Sequence, residues 1–570
     1  MKRRLVLLSL LFLSGCGPSR EALEALSLMQ GEPLLDRPGL SYARMSGSAG
    51  DITLEDVSLR APEGLAGLLG LPAGAARGAD RPAARLDARS IVMKGLGLSD
   101  GRPVVRDMVI SGIAPSEPVA GMDTRIGSLA MEGLSPQLGA FIASAFTQQG
   151  ASDPPPFADW AFSTLALRDV SLTGDIEGSE GLNHFDLRLA EVSVSDLKEA
   201  RIGRLRMAGL TGQMQLATGL LPLEASFDLG EFEISALRPD VFPGPLAMAF
   251  GGADQAAEAS AEPPGSPLDA GYDRLSWSGM TADVSGLRLG LSPLVHTLSR
   301  DPAGRAIASD LSRTTLSLRA DRSGGLAGAM GLMVLAMAGY PSDSIELTTE
   351  GGATFDPARD ITRISDYRLE LRDVADLRLD MGLHGLRQSL PALMSALGGA
   401  AGLMADAPGS EGVSGDGSGA GSGNAPGAAE PGAAEPGADA AAAVAMQLLF
   451  ALMPLQLTDL DLSLSDQMLI ELILGQQARA SGQRPEALRA DLVSLLQASA
   501  GFMADAGIDP AIAGELSAAM AGMAAGPGTL RLQLRPRQPF GLLAAMMTPV
   551  TKDSLGFSAT FQAGDPAPAN

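Results

Sequence analysis

An eight-residue pattern recurs along this sequence: apolar, any, apolar, any, then Asp, Glu or Gly, then apolar, any, apolar. Full copies begin at Ile52, Ile91, Leu165, Leu187, Phe227, Leu275 and Leu455, and partial copies at Pro103, Leu129, Leu205 and Leu369. Alternation of this kind marks a strand with one buried face. Two consecutive non-core residues then shift the phase by one, which in a continuous strand would send every later side chain to the wrong face. A β-bulge or short bend at the fourth or fifth position restores the inward face. Gly suits that position through its conformational freedom, and Asp or Glu because the extra residue points to water. The intervals between copies vary, which excludes a fixed-period solenoid and suits antiparallel strands joined by turns. The predicted fold is α+β and β-dominated: long bent antiparallel sheets lined on the concave face by Leu, Val, Met and Ile.

Helical patterns are fewer and lie mostly late in the chain. Residues 20–30 form a short predicted helix with Leu23, Leu26 and Met29 on one side and Gly31 as the stop. Residues 326–339, 390–404 and 440–455 are apolar nearly all round but shorter than the roughly 20 residues of a membrane span, so they read as buried helices packed on the sheet. Ser465 is the expected cap of a helix over 466–480. Pro485 opens another, with Leu488, Leu492, Leu495 and Leu496 on one face. Asp509 and Pro510 begin the clearest, with Ile512, Leu516, Met520 and Met523 at helical spacing. The abundance of such helices predicts a packed C-terminal half, and an open surface is expected in the N-terminal half.

Two stretches lack periodicity, 251–270 and 405–442. Both are rich in Gly, Ala, Pro and acidic residues, and neither can bury enough apolar area to offset its ordering entropy. The second lies between strand patterns that a sheet would pair across it, so it reads as a disordered insertion inside one domain. The expected organisation is a leader over 1–15, a tether and short helix over 16–40, a β-rich domain over 41–250, a linker over 251–270 and an α+β domain over 271–570.

The first residues supply an address. Lys2, Arg3 and Arg4 precede the apolar run Leu5–Leu13, too short to span a membrane and suited to a secretory signal peptide. Leu13-Ser14-Gly15-Cys16 then resembles the lipobox of bacterial lipoproteins, and Cys16 is the only cysteine of the chain. The resemblance implies cleavage before Cys16 and lipidation of Cys16 with more than one acyl chain. Two or more chains anchor a protein stably where one does not. Loss of the three leading cations takes the net charge from −24 to −27, a surface that anionic headgroups repel, so the lipid must supply the attachment. Gly17 follows the cysteine, where an Asp would direct retention at the inner membrane. The expected location is therefore the cell envelope, periplasm-facing, with the outer membrane favoured over the inner.

Composition excludes several chemistries. A net charge of −24 argues against nucleic acid as a partner, which needs clustered Lys and Arg. The lone cysteine excludes an intramolecular disulfide and any cysteine-built metal site. The three histidines, His184, His296 and His384, are far apart and show no ligand spacing. No lysine follows glycine, so no phosphate-binding loop is present. Ser195 and Lys198 match an S-x-x-K spacing, yet they close a strand where that motif opens a helix, and its companion motifs are absent. The acids at the bend positions (Asp56, Asp107, Asp169, Glu191, Glu231, Asp373 and Asp459) could pair as acid and base or bind Ca²⁺. Recurrence in one structural context spreads them along a sheet, whereas catalytic groups converge. No catalytic, cofactor-binding or metal-binding residue is therefore assigned, and lipidation at Cys16 is the single site.

Two further resemblances bear on function. The segment from about 360 to 550 resembles exported bacterial proteins of unknown function with the same strand–helix–helix–strand order. The repeated bent strands resemble, more loosely, the AsmA-like envelope proteins, whose long β-grooves are associated with lipid handling. This chain departs from them in having a lipid anchor where they have an N-terminal membrane helix. The expectation is a non-catalytic, membrane-anchored envelope lipoprotein that binds a lipid or other apolar ligand on a curled sheet. The alternative is a structural lipoprotein with a fully packed core that contacts an envelope protein; a hydrolase ranks last.

Overall fold

The computed structural model describes residues 17–30, 40–60, 85–116, 121–144, 146, 155–178, 181–217, 222–239, 265–321, 325–340, 342–390, 452–541 and 550–564. The leader, Cys16, the insertion over 405–442, most of the linker over 251–270 and most of the apolar segments 390–404 and 440–455 lie outside the described residues. The chain divides into two compact units, 1–259 with 270–297 and 311–348, and 260–269 with 298–310 and 349–570. The fold is α+β and dominated by antiparallel strands, as the alternation predicts.

The first unit is a meander. Helix α1 (Arg20–Gln30) precedes β1 (Leu40–Ser48), β2 (Asp51–Arg60) and β3 (Arg85–Lys94). A small hairpin, β4 (Gly97–Ser99) and β5 (Arg102–Val104), leads to β6 (Asp107–Pro115) and β7 (Met122–Glu132), and helix α2 (Pro136–Ser144) follows. Long strands β8 (Phe162–Gly178), β9 (Gly181–Lys198) and β10 (Arg201–Ala217) come next. Apart from the β4–β5 hairpin, each of these strands from β1 to β10 pairs antiparallel with the strand before it. Beyond β10 each pass is broken into two pieces: β11 (Pro222–Asp228) and β12 (Phe232–Leu237), then β13 (Arg274–Trp277) and β14 (Met280–Val284), then β15 (Leu287–Leu291) and β16 (Leu294–Arg300). β11 and β12 both pair with β10, and β15 pairs with the far end of β17 (Ala306–Ala320). Helix α3 (Gly325–Ala338) and β18 (Ser344–Asp356) follow.

The predicted bends are present, and they are shared between strands. In β2, Asp56 has φ 54°, so Glu55 and Asp56 both face away from the core while Ile52, Leu54, Val57 and Leu59 are all buried. Asp56 stands opposite Arg89, Arg89 opposite Gly112, and the row continues through Gly127, Asp169, Ala190 and Gly209. Gly112, Asp169 and Gly209 share the left-handed conformation of Asp56. A second row runs parallel through Gly50, Gly95, Arg106, Gly133, Ser163, Asp196, Gly203 and Ala236, where Gly95, Gly133, Asp196 and Ala236 have positive φ. Apart from the β4–β5 hairpin, every strand from β2 to β10 thus meets two creases and takes the left-handed residue at the second one. Because each strand carries its extra residue in the same row, the register on either side is unbroken. The local bulge expected from sequence is therefore, in this unit, a collective crease.

The creased apolar face of β1–β7 is closed by α1 and α2. Ala22, Leu26 and Met29 of α1 and Leu138 of α2 join one core with Leu54, Leu86, Met93 and Ile110. Burying a Leu or Met of this kind contributes about 1.5–3 kcal/mol. The largest fully buried side chains all lie between Met29 and Ile113. The expectation of an open N-terminal half therefore fails for β1–β7, which two short helices suffice to cover.

In the second unit, β19 (Ile361–Leu371), β20 (Ala375–His384), β21 (Gln456–Asp466), β22 (Gly528–Leu534) and β24 (Ser558–Ala563) pair in sequence, with β23 (Phe540–Gly541) beside β21. The strands flanking 405–442 pair from Ala375 opposite Asp466 to His384 opposite Gln456. Here true bulges occur, as register shifts between Ile364 and Tyr367 and between Gly382 and Leu383. Helices α4 (Leu469–Ser481), α5 (Pro485–Asp505) and α6 (Pro510–Ala525) lie between β21 and β22, and α7 (Lys552–Leu555) precedes β24. Ser465 does not cap α4: it stays in β21 with its hydroxyl on Thr529, and the buried Asp466 accepts the Leu469 amide instead at 2.6 Å. In α5 the predicted apolar face is not buried, and Leu495 is 62 % exposed. Asp509 caps α6 as predicted, accepting the Ala511 amide at 2.8 Å, and Ile512 and Met523 pack on Leu530, Phe557 and Ala559.

Candidate functional site

From β8 onward the core continues only along one end of the strands, through Phe162, Val194, Leu197, Ile202 and Ile234, and the apolar face of the other end is half-buried. A register row joins Leu187, Gly212, Phe227, Ala282, Leu289 and Leu318 across successive strands. A neighbouring row adds Leu189 opposite Leu210, then Met280, Leu291 and Leu316. The larger of these side chains are only half-buried, and Leu316 and Val284 are each 40 % exposed. Glycine keeps the surface low in two places. A Cβ on Gly212 would sit 2.3 Å from the Phe227 ring, and one on Gly174 would sit 2.6 Å from the Phe185 ring, so each ring lies across a bare stretch of backbone.

Helix α3 meets the end of this face. Gly331 comes close to Ala320 and Leu287, and the amide of Gly328 donates to the Ser285 carbonyl at 3.1 Å. Its outer side carries Met330, Met333, Val334 and Met337, each more than half exposed. The expectation that this apolar helix is buried therefore holds for one side only.

The opposite face of the same strands is polar and forms an open cleft of about 630 Å³. Arg188, Arg288 and Arg319 line it together with Asp186, Asp228 and Asp283, so these charges balance. Arg188 pairs with Asp186 and Arg288 with Asp283, both at 2.8 Å. The Gly286 amide and the Arg288 guanidinium hold the Asp283 carboxyl below the usual range.

The residues weighed as chemistry from sequence are held apart. His184 lies 2.8 Å from Asp175, His296 accepts or donates a bond with the Tyr272 hydroxyl at 2.8 Å, and His384 belongs to β20 of the other unit. Ser195 and Lys198 lie in β9, with Lys198 3.9 Å from Glu199. The bend acids join cross-strand ladders: Glu191 contacts Arg168 at 3.3 Å and Arg206 at 3.2 Å, and Arg206 reaches Glu231 at 2.7 Å. Hydrogen bonding from Arg206 holds the Glu231 carboxyl below its usual range. Asp107 accepts the Gly133 amide, and Asp459 pairs with Arg363 at 3.0 Å. Asp56 lies 3.7 Å from Arg44, and Asp373 lies 3.8 Å from Arg372. Among the described residues, no group of three or more His, Cys, Asp or Glu could hold a metal ion. Cys16 lies outside the described residues. The arginines of the ladders and the glycines under the two rings were not singled out from sequence, because their roles depend on cross-strand register.

A protein-family model described as an uncharacterized protein matches residues 368–561, which cover β20 to α7 and part of the flanking strands. No curated protein and no solved structure matches the chain.

Proposed function

We propose that this chain is a non-catalytic envelope lipoprotein, anchored through a lipid on Cys16, that carries an acyl chain on the apolar face of β8–β17. The observation that supports this most is the half-exposed apolar surface continuing across six consecutive strand passes without an intervening charge. A surface of this extent in water gains about 25 cal/mol for each Å² covered by an apolar ligand. The AsmA-like resemblance and the lipobox point the same way. A protein partner in the envelope is the second reading, favoured by the outer methionine stripe of α3.

Organic extraction and native mass spectrometry of the purified protein test the first reading. Acyl lipid should be recovered beyond that attached at Cys16, and Leu289→Asp should reduce it several-fold with unchanged circular dichroism. Absence of any extractable apolar ligand, together with no binding of a fluorescent fatty acid, would sink it. Capture of a defined envelope protein through a photocrosslinker at Met333 would support the second.

A further inference from the structure

Residues 17–19 are built into the first unit. The Ala49 amide donates to the Gly17 carbonyl at 3.1 Å, the Ser19 amide donates to the Ala49 carbonyl at 2.7 Å, and Pro18 bridges Ala49 in parallel. The Ser19 hydroxyl then accepts the Ala22 amide at 3.1 Å, so it caps α1. Helix α1 is itself fixed, with Ala22, Ala25, Leu26 and Met29 buried and the Glu21 carboxylate accepting the Leu98 amide at 2.9 Å. Gly17, the first described residue, is thus held beside the turn that joins β1 to β2.

We infer that the lipidated protein has no free tether, and that the β1–β2 turn, residues 48–51, rests directly on the bilayer surface. This rests on the reading of Cys16 as the lipid attachment point. The turn offers nothing that would insert, since Ser48, Ala49 and Asp51 are exposed and none is a large apolar residue. The acyl chains therefore provide the insertion and the turn provides the orientation. The sheet edge where β2 starts and β3 ends faces the headgroups, and at about 3.3 Å per residue the opposite strand ends stand roughly 30 Å above it. A flexible tether would leave the unit free to tumble over the membrane; Gly17 and Ser19, both hydrogen-bonded to Ala49, remove that freedom.

The test uses the full-length lipidated protein in vesicles of phosphatidylethanolamine and phosphatidylglycerol doped with a headgroup nitroxide lipid. Lipidation consumes the Cys16 thiol, so a fluorophore can be attached singly through Ala49→Cys or Asp87→Cys. Quenching should be several-fold stronger at position 49 than at 87. A Gly/Ser spacer of about ten residues inserted between Gly17 and Pro18, with a flexible reach near 17 Å, should abolish that difference while the protein still floats with the vesicles. Equal quenching at both positions, or a difference that the spacer leaves unchanged, overturns the inference. Failure of the anchor itself has a separate signature: no fatty-acid label on the wild-type chain and no flotation.

Discussion

At Gly127 the backbone of β7 has no room for a side chain, since a Cβ there would lie 2.6 Å from the Cβ of Asp169 on β8. Asp169 has φ 55°, and this left-handed turn swings its side chain toward the neighbouring strand. The same relation holds between Gly203 and Asp196, at 2.7 Å. At these two crease positions the left-handed aspartate leaves room only for a glycine on the adjoining strand. Gly127→Ala should therefore destabilise the protein by about 1–3 kcal/mol, read as a fall in urea midpoint at constant slope. Adding Asp169→Gly should restore most of that loss by removing the opposing Cβ. If the double variant is no better than the single, the constraint is not the pair. Asp169 was visible in the sequence as the fifth residue of its repeat. Gly127 was not, because only the register places it opposite.

The strands were the most legible elements. Alternation with a phase break marked β2, β7, β8 and β10, where the break fell on the left-handed or crease residue, but it did not mark β1, β17, β18 or β24. Helix α1 was legible to its ends, and so was the Asp509 cap of α6. Burial of helices was not legible: Met330 and Met333 are exposed and Met523 is buried, yet all sit in similar Ala/Gly/Met surroundings. Strand pairing in the second unit adds a pH-dependent contribution. Asp461 of β21 accepts from Arg531 of β22 at 2.6 and 3.1 Å and from Gln533 at 2.8 Å, and the Arg531 hydrogen bonds chiefly hold its carboxyl below the ordinary value. An unfolded Asp titrates near 3.9, so this stabilisation is complete above about pH 5 and is lost as pH falls through the lower folded value. Asp461→Asn should cost roughly 1–2 kcal/mol at pH 7, and denaturation curves of the two proteins should converge at the acidic end. A deficit that persists undiminished in acid would assign it to packing instead.

Across the whole chain, protection from solvent is uneven. Side chains of β2, β3 and β6 are enclosed by α1 and α2, whereas β11, β14 and β15, with the adjoining halves of β9 and β10, expose both an apolar and a polar face. Native-state hydrogen exchange should therefore be slowest in β2, β3 and β6 and faster in β11, β14 and β15. Uniform protection along the first unit would contradict the open face on which the proposed ligand rests. The distribution of closed and open surface escaped the sequence because it depends on which strands two short helices happen to cover.

The meander itself bears on how such a chain reaches its place of work. From β1 to β10, the main strands hydrogen-bond to their predecessors in sequence, apart from the small β4–β5 hairpin. A polypeptide delivered N-terminus first can consequently grow its sheet by accretion, every arriving strand finding a finished template. The lidded β1–β7 core would be complete before the exposed strands emerge, so the part proposed to sit at the membrane matures ahead of the part proposed to meet a ligand.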